Sequence, residues 1–296
     1  MSEPSARGPG ARTPEAGRGP HEGEGGGPLT RRQARQAAAP RRRVWIGVCV
    51  VLVALSGAGP GRAQQSLPPL GTLEVAIAAP SPTTVPLWVA VAAHLDVAHG
   101  LRVTTITMAG GTESIQALVS GNAQAAHVGL SPVFLANAGG FHVVMIAADA
   151  IRSPFILYSR PGITAVAQLA RGRVAISKVG SESDVLTRLV LARHGLDIRN
   201  IYFLQMGASG QRIAGLQSGA TDAAVLLSPV TVQADKAGFH RLVDYSQEFP
   251  WVFDGIAVDR GYAAQHPSQV QALVAAYVEG MYYTIAHPDV AMDAIR

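Results

Sequence analysis

Residues 118–133 read Leu-Val-Ser-Gly-Asn-Ala-Gln-Ala-Ala-His-Val-Gly-Leu-Ser-Pro-Val, and residues 216–230 read Leu-Gln-Ser-Gly-Ala-Thr-Asp-Ala-Ala-Val-Leu-Leu-Ser-Pro-Val. With one gap, both stretches follow one plan: a helix end, a Ser-Gly stop, a strand of small residues, Ser-Pro, and the next helix. Glycine suits such a stop because it enters the left-handed conformation without steric cost. Upstream, each copy has a glycine loop entering its helix, Gly110-Gly111-Thr112 in one and Gly207-Ala208-Ser209-Gly210 in the other. One βαβ unit used twice, once in each of two similar α/β lobes, accounts for the pattern.

Outward from the repeat, short apolar runs alternate with helical segments. Leu73–Ala79, Val103–Met108, Ala125–Leu130, Val143–Ala147, Phe155–Tyr158, Val174–Ser177, Ile201–Leu204, Ala223–Leu227 and Ile256–Val258 read as strands, most bounded by Gly, Pro or Ser. Helical spacing places Ile115, Leu118 and Val119 on one face, and Leu186, Leu189 and Val190 on another. Ser181 and Asp184 have capping-box spacing, and a long helix after Pro267 carries Val270, Leu273, Val274, Tyr277 and Met281 on one stripe. Strands alternating with helices predict largely parallel sheets.

In a parallel sheet, the loops leaving the strands share one edge, and each leads into a helix N-terminus with unpartnered N–H groups. That end favours an anionic or acceptor-rich group. Here these turns carry glycine and small hydroxyls. The expected site therefore takes Thr84, Gly111, Thr112 and Ser131 from the first lobe and Gly180, Ser181, Ser209 and Ser228 from the second. Lys178 stands beside a turn, where it meets an anionic group or solvent. Trp88 and Trp251 read as packing residues at the flanks.

Hydrophobic residues make up 48% of the 296 and charged residues 15%, a globular composition. The net charge of +4 is carried by the start of the chain. Residues 1–63 hold 10 Arg and 4 Glu, leaving 14 basic and 16 acidic residues beyond. No basic stripe interleaved with aromatics remains there, so no nucleic-acid partner is expected. Residues 1–40 are too poor in large apolar residues to bury a core. Arg41, Arg42 and Arg43, the apolar run from Val44 to Leu55 and Gly61-Arg62-Ala63 read together as a secretory signal cleaved after Ala63. The alternative is an uncleaved anchor. The single cysteine, Cys49, falls within that leader. The remainder then has no disulfide, thiolate nucleophile or thiolate metal ligand. None of its eight histidines has a metal-ligand spacing. His94 and His99 read as surface residues of one helix. No nucleophile elbow, phosphate loop or dinucleotide fingerprint appears. Asp149, Asp222 and Asp254 read as structural or hinge residues, since nothing in the sequence pairs them. No catalytic residue, metal or cofactor is expected.

The chain resembles the NMT1/THI5-like periplasmic binding proteins, the group that includes sulfonate, taurine, nitrate and pyrimidine-precursor binders of ABC importers. The resemblance begins at Leu73-Glu74-Val75-Ala76-Ile77 and Pro86-Leu87-Trp88-Val89-Ala90. It runs through His99-Gly100-Leu101-Arg102-Val103, Gly110-Gly111-Thr112, the Leu118 to Gly121 turn and Gln168-Leu169-Ala170-Arg171-Gly172, and ends at His266-Pro267 and His287-Pro288. It covers about residues 71–293. Three positions depart from the family pattern: His94-Leu95-Asp96 replaces an aromatic pair, Gln124 replaces an acidic residue that Asp222 supplies in the second copy, and the sequence stops at Arg296 within a helical pattern, as a fragment or a chain lacking a terminal helix would. The resemblance implies a type II periplasmic-binding fold with two crossings, near Asp149–Pro154 and Glu248–Asp254. Lobe 1 is then 71–150 with 253–296, and lobe 2 is 154–250. It also implies a periplasmic, monomeric, non-enzymatic protein that binds a small-molecule solute and delivers it to an ABC permease. Two alternatives share the fold: a thiamine-pyrimidine-synthase-like enzyme, whose cysteine-rich motif is missing here, and a ligand-sensing subunit of a membrane receptor.

Overall fold

A computed structural model describes residues 69–295, so the expected secretory signal, Cys49 and the Ala63 cleavage point lie outside the described residues. The described residues fall within one compact unit, built on two five-stranded sheets. The first sheet is formed by β1 (Gly71–Ile77), β2 (Leu101–Thr107), β3 (Ala125–Gly129), β4 (Val143–Ala150) and β10 (Asp254–Asp259) in the order β2-β1-β3-β10-β4. The second is formed by β5 (Ile156–Ser159), β6 (Arg173–Ile176), β7 (Tyr202–Gln205), β8 (Ala223–Leu226) and β9 (His240–Asp244) in the order β7-β6-β8-β5-β9. The two orders are equivalent strand for strand.

In each sheet one strand runs against the rest. β10 is antiparallel to both β3 and β4, and β5 is antiparallel to both β8 and β9. The sheets are thus mixed where alternation of strands and helices predicted largely parallel ones. Each reversed strand is the first after the chain has crossed between sheets, so it enters its sheet from the opposite edge. β9 has no counterpart among the predicted strands. Its sequence, His-Arg-Leu-Val-Asp, has only Val243 buried, as befits an edge strand with little apolar pattern.

The helices are α1 (Val85–Ala92), α2 (Leu95–Ala98), α3 (Gly111–Val119), α4 (Leu130–Ala138), α5 (Glu182–Arg193), α6 (Ser209–Gln217), α7 (Val230–Lys236), α8 (Tyr245–Glu248), α9 (Arg260–Gln265), α10 (Pro267–Ala286) and α11 (Pro288–Ala294). The predicted single helix carrying His94 and His99 is broken: His94 takes a left-handed conformation (φ 57°) between α1 and α2. Behind the break, buried Asp96 accepts the Val103 N–H at 2.8 Å and ties α2 to β2.

The repeat is reproduced down to single hydrogen bonds. Gly121 and Gly219 stop α3 and α6 at φ +78° and +73°. Ser120 and Ser218 each donate their hydroxyl three residues back, at 3.1 and 3.2 Å. Gln124 Oε1 accepts the Glu74 N–H of β1, and Asp222 Oδ2 accepts the Arg173 N–H of β6. The amide and the carboxylate thus do one job in the two lobes.

Two apolar layers flank each sheet. In the first lobe Leu73, Val75 and Ile77 pack with Leu87 of α1 and with Leu273 and Tyr277 of α10, while Ile115 and Leu118 of α3 cover the other face. In the second, Leu186 and Val190 of α5 pack on one face and Ile213 and Leu216 of α6 on the other. No helix among the described residues is long and apolar enough to cross a membrane.

Candidate functional site

The loops after β1, β2 and β3 meet those after β6, β7 and β8 across a crevice. Thr112 Oγ1 of α3 donates to the Val179 carbonyl at 2.8 Å. Lys178 Nζ pairs with Glu113 Oε1 at 2.8 Å, and the Ser131 N–H donates to Glu182 Oε2 at 2.6 Å. These contacts latch the lobes around a cavity of about 60 Å³, lined from both sides.

Of the residues expected at the site, Gly111 and Ser181 line this cavity. Ser181 also caps α5 and shares hydroxyl hydrogen bonds with Ser177 and Ser183, each 2.8–2.9 Å long. Thr112, Ser131 and Lys178 sit in the latch beside it, together with Gly180, whose N–H donates to Asp184. The other three are not brought to the cavity wall. Thr84 is buried against Ser81 Oγ and the Ala79 carbonyl. Ser209 Oγ accepts from the Leu227 N–H and from Arg212. Ser228 is exposed, before a cis peptide bond to Pro229.

The cavity's strongest chemistry comes from residues that the sequence reading did not single out. Arg212, in the first turn of α6, is 3% exposed. Its Nη2 donates to Ser209 Oγ at 2.8 Å, its guanidinium lies 5.8 Å from the centre of the Phe155 ring, and its Nε and Nη1 have no partner in the protein. Burial pushes its pKa down to about 10, so it remains a cation at neutral pH. Glu182, 6% exposed, opens α5 and faces it from the same lobe's edge of the cavity; its Oε1 has no partner. Burial pushes its carboxyl up to about 7, against the pull of the Ser131 hydrogen bond.

In the wall on the first-lobe side, β3, β10 and β4 bring His127, Asp254 and Asp149 together. His127 Nε2 lies 2.8 Å from Asp149 Oδ2 and 3.2 Å from the Tyr277 hydroxyl, which also donates to Asp149. Thr83 Oγ1 donates to Asp254 Oδ2 at 2.7 Å. Asp149 Oδ1 and Asp254 Oδ1 are buried without a partner. Burial raises the Asp254 carboxyl well above the usual range, helped by the neighbouring Asp149 charge. Burial also acts to raise Asp149, but hydrogen bonds from His127, Asp254 and Tyr277 outweigh it and hold that carboxyl low.

A signal for two of these residues was present in the sequence. Arg212 occupies the apolar stripe of Ile213 and Leu216, and His127 interrupts a strand of small apolar residues; a polar group at a core position calls for a partner.

The model of the NMT1-like family matches residues 71–295. Among solved structures, one from Bordetella bronchiseptica RB50 is 22% identical, covering 76% of this chain and 80% of its own, with a TM-score of 0.67. The alkanesulfonate-binding protein SsuA from Xanthomonas axonopodis pv. citri, bound to MOPS, is 19% identical over 78% of this chain and 79% of its own, with a TM-score of 0.66. The periplasmic nitrate-binding protein NrtA from Synechocystis PCC 6803 is 17% identical over 71% and 60%, with a TM-score of 0.62. At these identities the likeness is one of fold: the type II periplasmic-binding architecture of two α/β lobes. A search of the curated proteins gives no match.

Proposed function

The chain belongs to the NMT1-like family, and from that membership and the cleft we propose that it is an exported, non-catalytic solute-binding protein that closes over a small anionic or acceptor-rich molecule and hands it to an ABC permease. The observation that carries this reading is Arg212. A buried guanidinium with two unpartnered nitrogens is unfavourable until an acceptor reaches it. An anionic solute in the crevice supplies that acceptor. Each hydrogen bond to a charged group contributes roughly 1.5–3 kcal/mol. Two of them, with hydroxyls such as Ser181 and the amide of Gly111 nearby, support micromolar binding after ordering costs.

On this reading the expected residues divide by task. Gly111 and Ser181 face the solute. Thr112, Ser131 and Lys178 hold the lobes shut around it, and Gly180 shapes the loop that Thr112 meets. Ser209 orients Arg212, while Thr84 and Ser228 shape the turns. The protein works as a periplasmic monomer without a cofactor for the binding step.

The MOPS-bound and nitrate-binding relatives set the order of the test panel. Calorimetric titration of the purified protein with sulfonates, nitrate, carboxylates and pyrimidines should give micromolar binding for one anionic class, abolished in Arg212→Gln. Absence of binding across the panel, or a variant that binds as tightly, overturns the reading. Stimulation of a reconstituted permease by the loaded protein separates transport from sensing.

A further inference from the structure

We infer that His127, Asp149 and Asp254 form a site for a divalent transition-metal cation in the wall of the cleft. His127 Nε2 and one oxygen from each carboxylate lie within 4.8 Å of one another. A cation held at about 2.0–2.2 Å from each donor sets them roughly 3–3.5 Å apart, so the three side chains need only close in slightly to hold one. The three side chains are buried: His127 is 2% and Asp254 6% exposed, and the Asp149 side chain is 4% exposed.

Three further observations point to a cation. First, Asp149 Oδ1 and Asp254 Oδ1 are cut off from solvent, with no donor besides a proton shared between the two carboxyls themselves. A buried carboxylate oxygen left unsatisfied is costly, and a metal ion satisfies two at once. Second, each carboxylate is already oriented by an outer donor, Asp254 by the Thr83 hydroxyl and Asp149 by the Tyr277 hydroxyl. Such outer hydrogen bonds fix metal-ligating side chains. Third, the donors stand on three adjacent strands, β3, β10 and β4, with Ile256 paired to His127 and Asp254 beside Ala150.

One imidazole and two carboxylates make a nitrogen–oxygen donor set suited to Zn²⁺ or Mn²⁺ rather than to a soft cation. His127 and Asp254 line the cavity, so a fourth coordination position opens toward it. All three ligands belong to the first sheet, so metal uptake does not depend on the solute reading, although the open position faces the same cavity as Arg212. The competing arrangement is a proton shared between Asp149 and Asp254 beside His127.

The test uses untagged full-length protein, stripped with a chelator and dialysed, then titrated separately with Zn²⁺, Mn²⁺ and Co²⁺. The expected result is one equivalent of metal per chain, a raised unfolding midpoint, and visible d–d bands with Co²⁺. Binding should weaken by about 100-fold or more in Asp254→Asn and His127→Gln, with the far-ultraviolet circular dichroism of both variants unchanged. A variant that loses its fold is replaced by X-ray absorption on the Zn²⁺-loaded native protein, which should show one imidazole nitrogen and carboxylate oxygens at about 2.0–2.2 Å from the metal. The inference is overturned if none of the three metals binds saturably. It is also overturned if uptake persists in both variants, which would assign it to surface pairs such as His99–Glu279 or His194–Glu248, or if the absorption spectrum shows no imidazole donor.

Discussion

Substituting Gly129 by alanine should impair lobe closure while leaving each lobe intact. Gly129 ends β3 with φ −63° and ψ 160°, ordinary values for alanine, so the backbone adds no strain. A Cβ built there stands 2.6 Å from Glu182 Cβ and 2.8 Å from Glu182 Cγ. Ordinary carbon contacts lie at about 3.5–4.0 Å, so roughly 1 Å of room is missing. Glu182 belongs to the other lobe, and its Cβ moves only with α5. The clash exists only when the lobes are shut. Overpacking of this kind costs about 1–3 kcal/mol, which lowers the closure constant by about 5- to 150-fold. Apparent affinity falls by the same factor when only the closed state holds the solute. Spin labels at exposed Gln116 on α3 and Ala214 on α6 report the lobe separation, and calorimetry with the tightest solute of the panel reports the affinity. The unfolding midpoint of the solute-free protein should not move. Wild-type affinity and separation in Gly129→Ala would refute the argument, as would an affinity lost only in step with the midpoint.

Three further outcomes follow from the same geometry. Because burial raises the Glu182 carboxyl from 4.5 to about 7, closure takes up a proton; its contribution is complete below about pH 4.5 and is lost as pH rises through 7. Solute affinity should therefore fall from pH 6 to pH 8, and Glu182→Gln should flatten the profile; an affinity that rises over that range contradicts the assignment. Arg212→Met should abolish anion binding yet raise the solute-free unfolding midpoint, since an uncompensated buried charge is exchanged for an apolar chain worth about 1–4 kcal/mol; a lowered midpoint would mean the guanidinium already has its partner. Asp222, whose side chain is 13% exposed, is held down to about 2 by the Arg173 hydrogen bonds, with Arg160 assisting. A depressed carboxyl stabilises above its unfolded value and loses that contribution as pH falls toward 2. Asp222→Asn should cost about 2 kcal/mol at pH 7 by denaturant titration and almost nothing near pH 2.

The duplicated lobe was legible because its signals are local: a Ser-Gly stop, a small-residue strand and a glycine loop each act within a few residues. Gly121 and Gly219 occupy the left-handed conformation that such stops require. The reversal of β5 and β10 was not legible, since strand direction depends on where the chain re-enters a sheet. The acidic pair was hidden for the same reason. Asp149 and Asp254 lie far apart along the chain, and only the insertion of β10 between β3 and β4 joins them. Arg212 was passed over because small hydroxyls and glycines drew attention to the turns, while the residue with unspent hydrogen-bonding capacity sits one helical turn further on. Lys178, the cation noticed in the sequence, is matched with Glu113 at the rim.

The position of β10 also bears on how the polypeptide reaches its native state. Its partners β3 and β4 are synthesised more than a hundred residues earlier, and until the late strand arrives they face each other across a gap one strand wide. A chain emerging from the ribosome can therefore complete the sheet formed by residues 156–244 while its opening half still lacks a centre. Pairings of such long range are slow to nucleate. The first lobe thus gains its central strand only after the second lobe's sheet has been made.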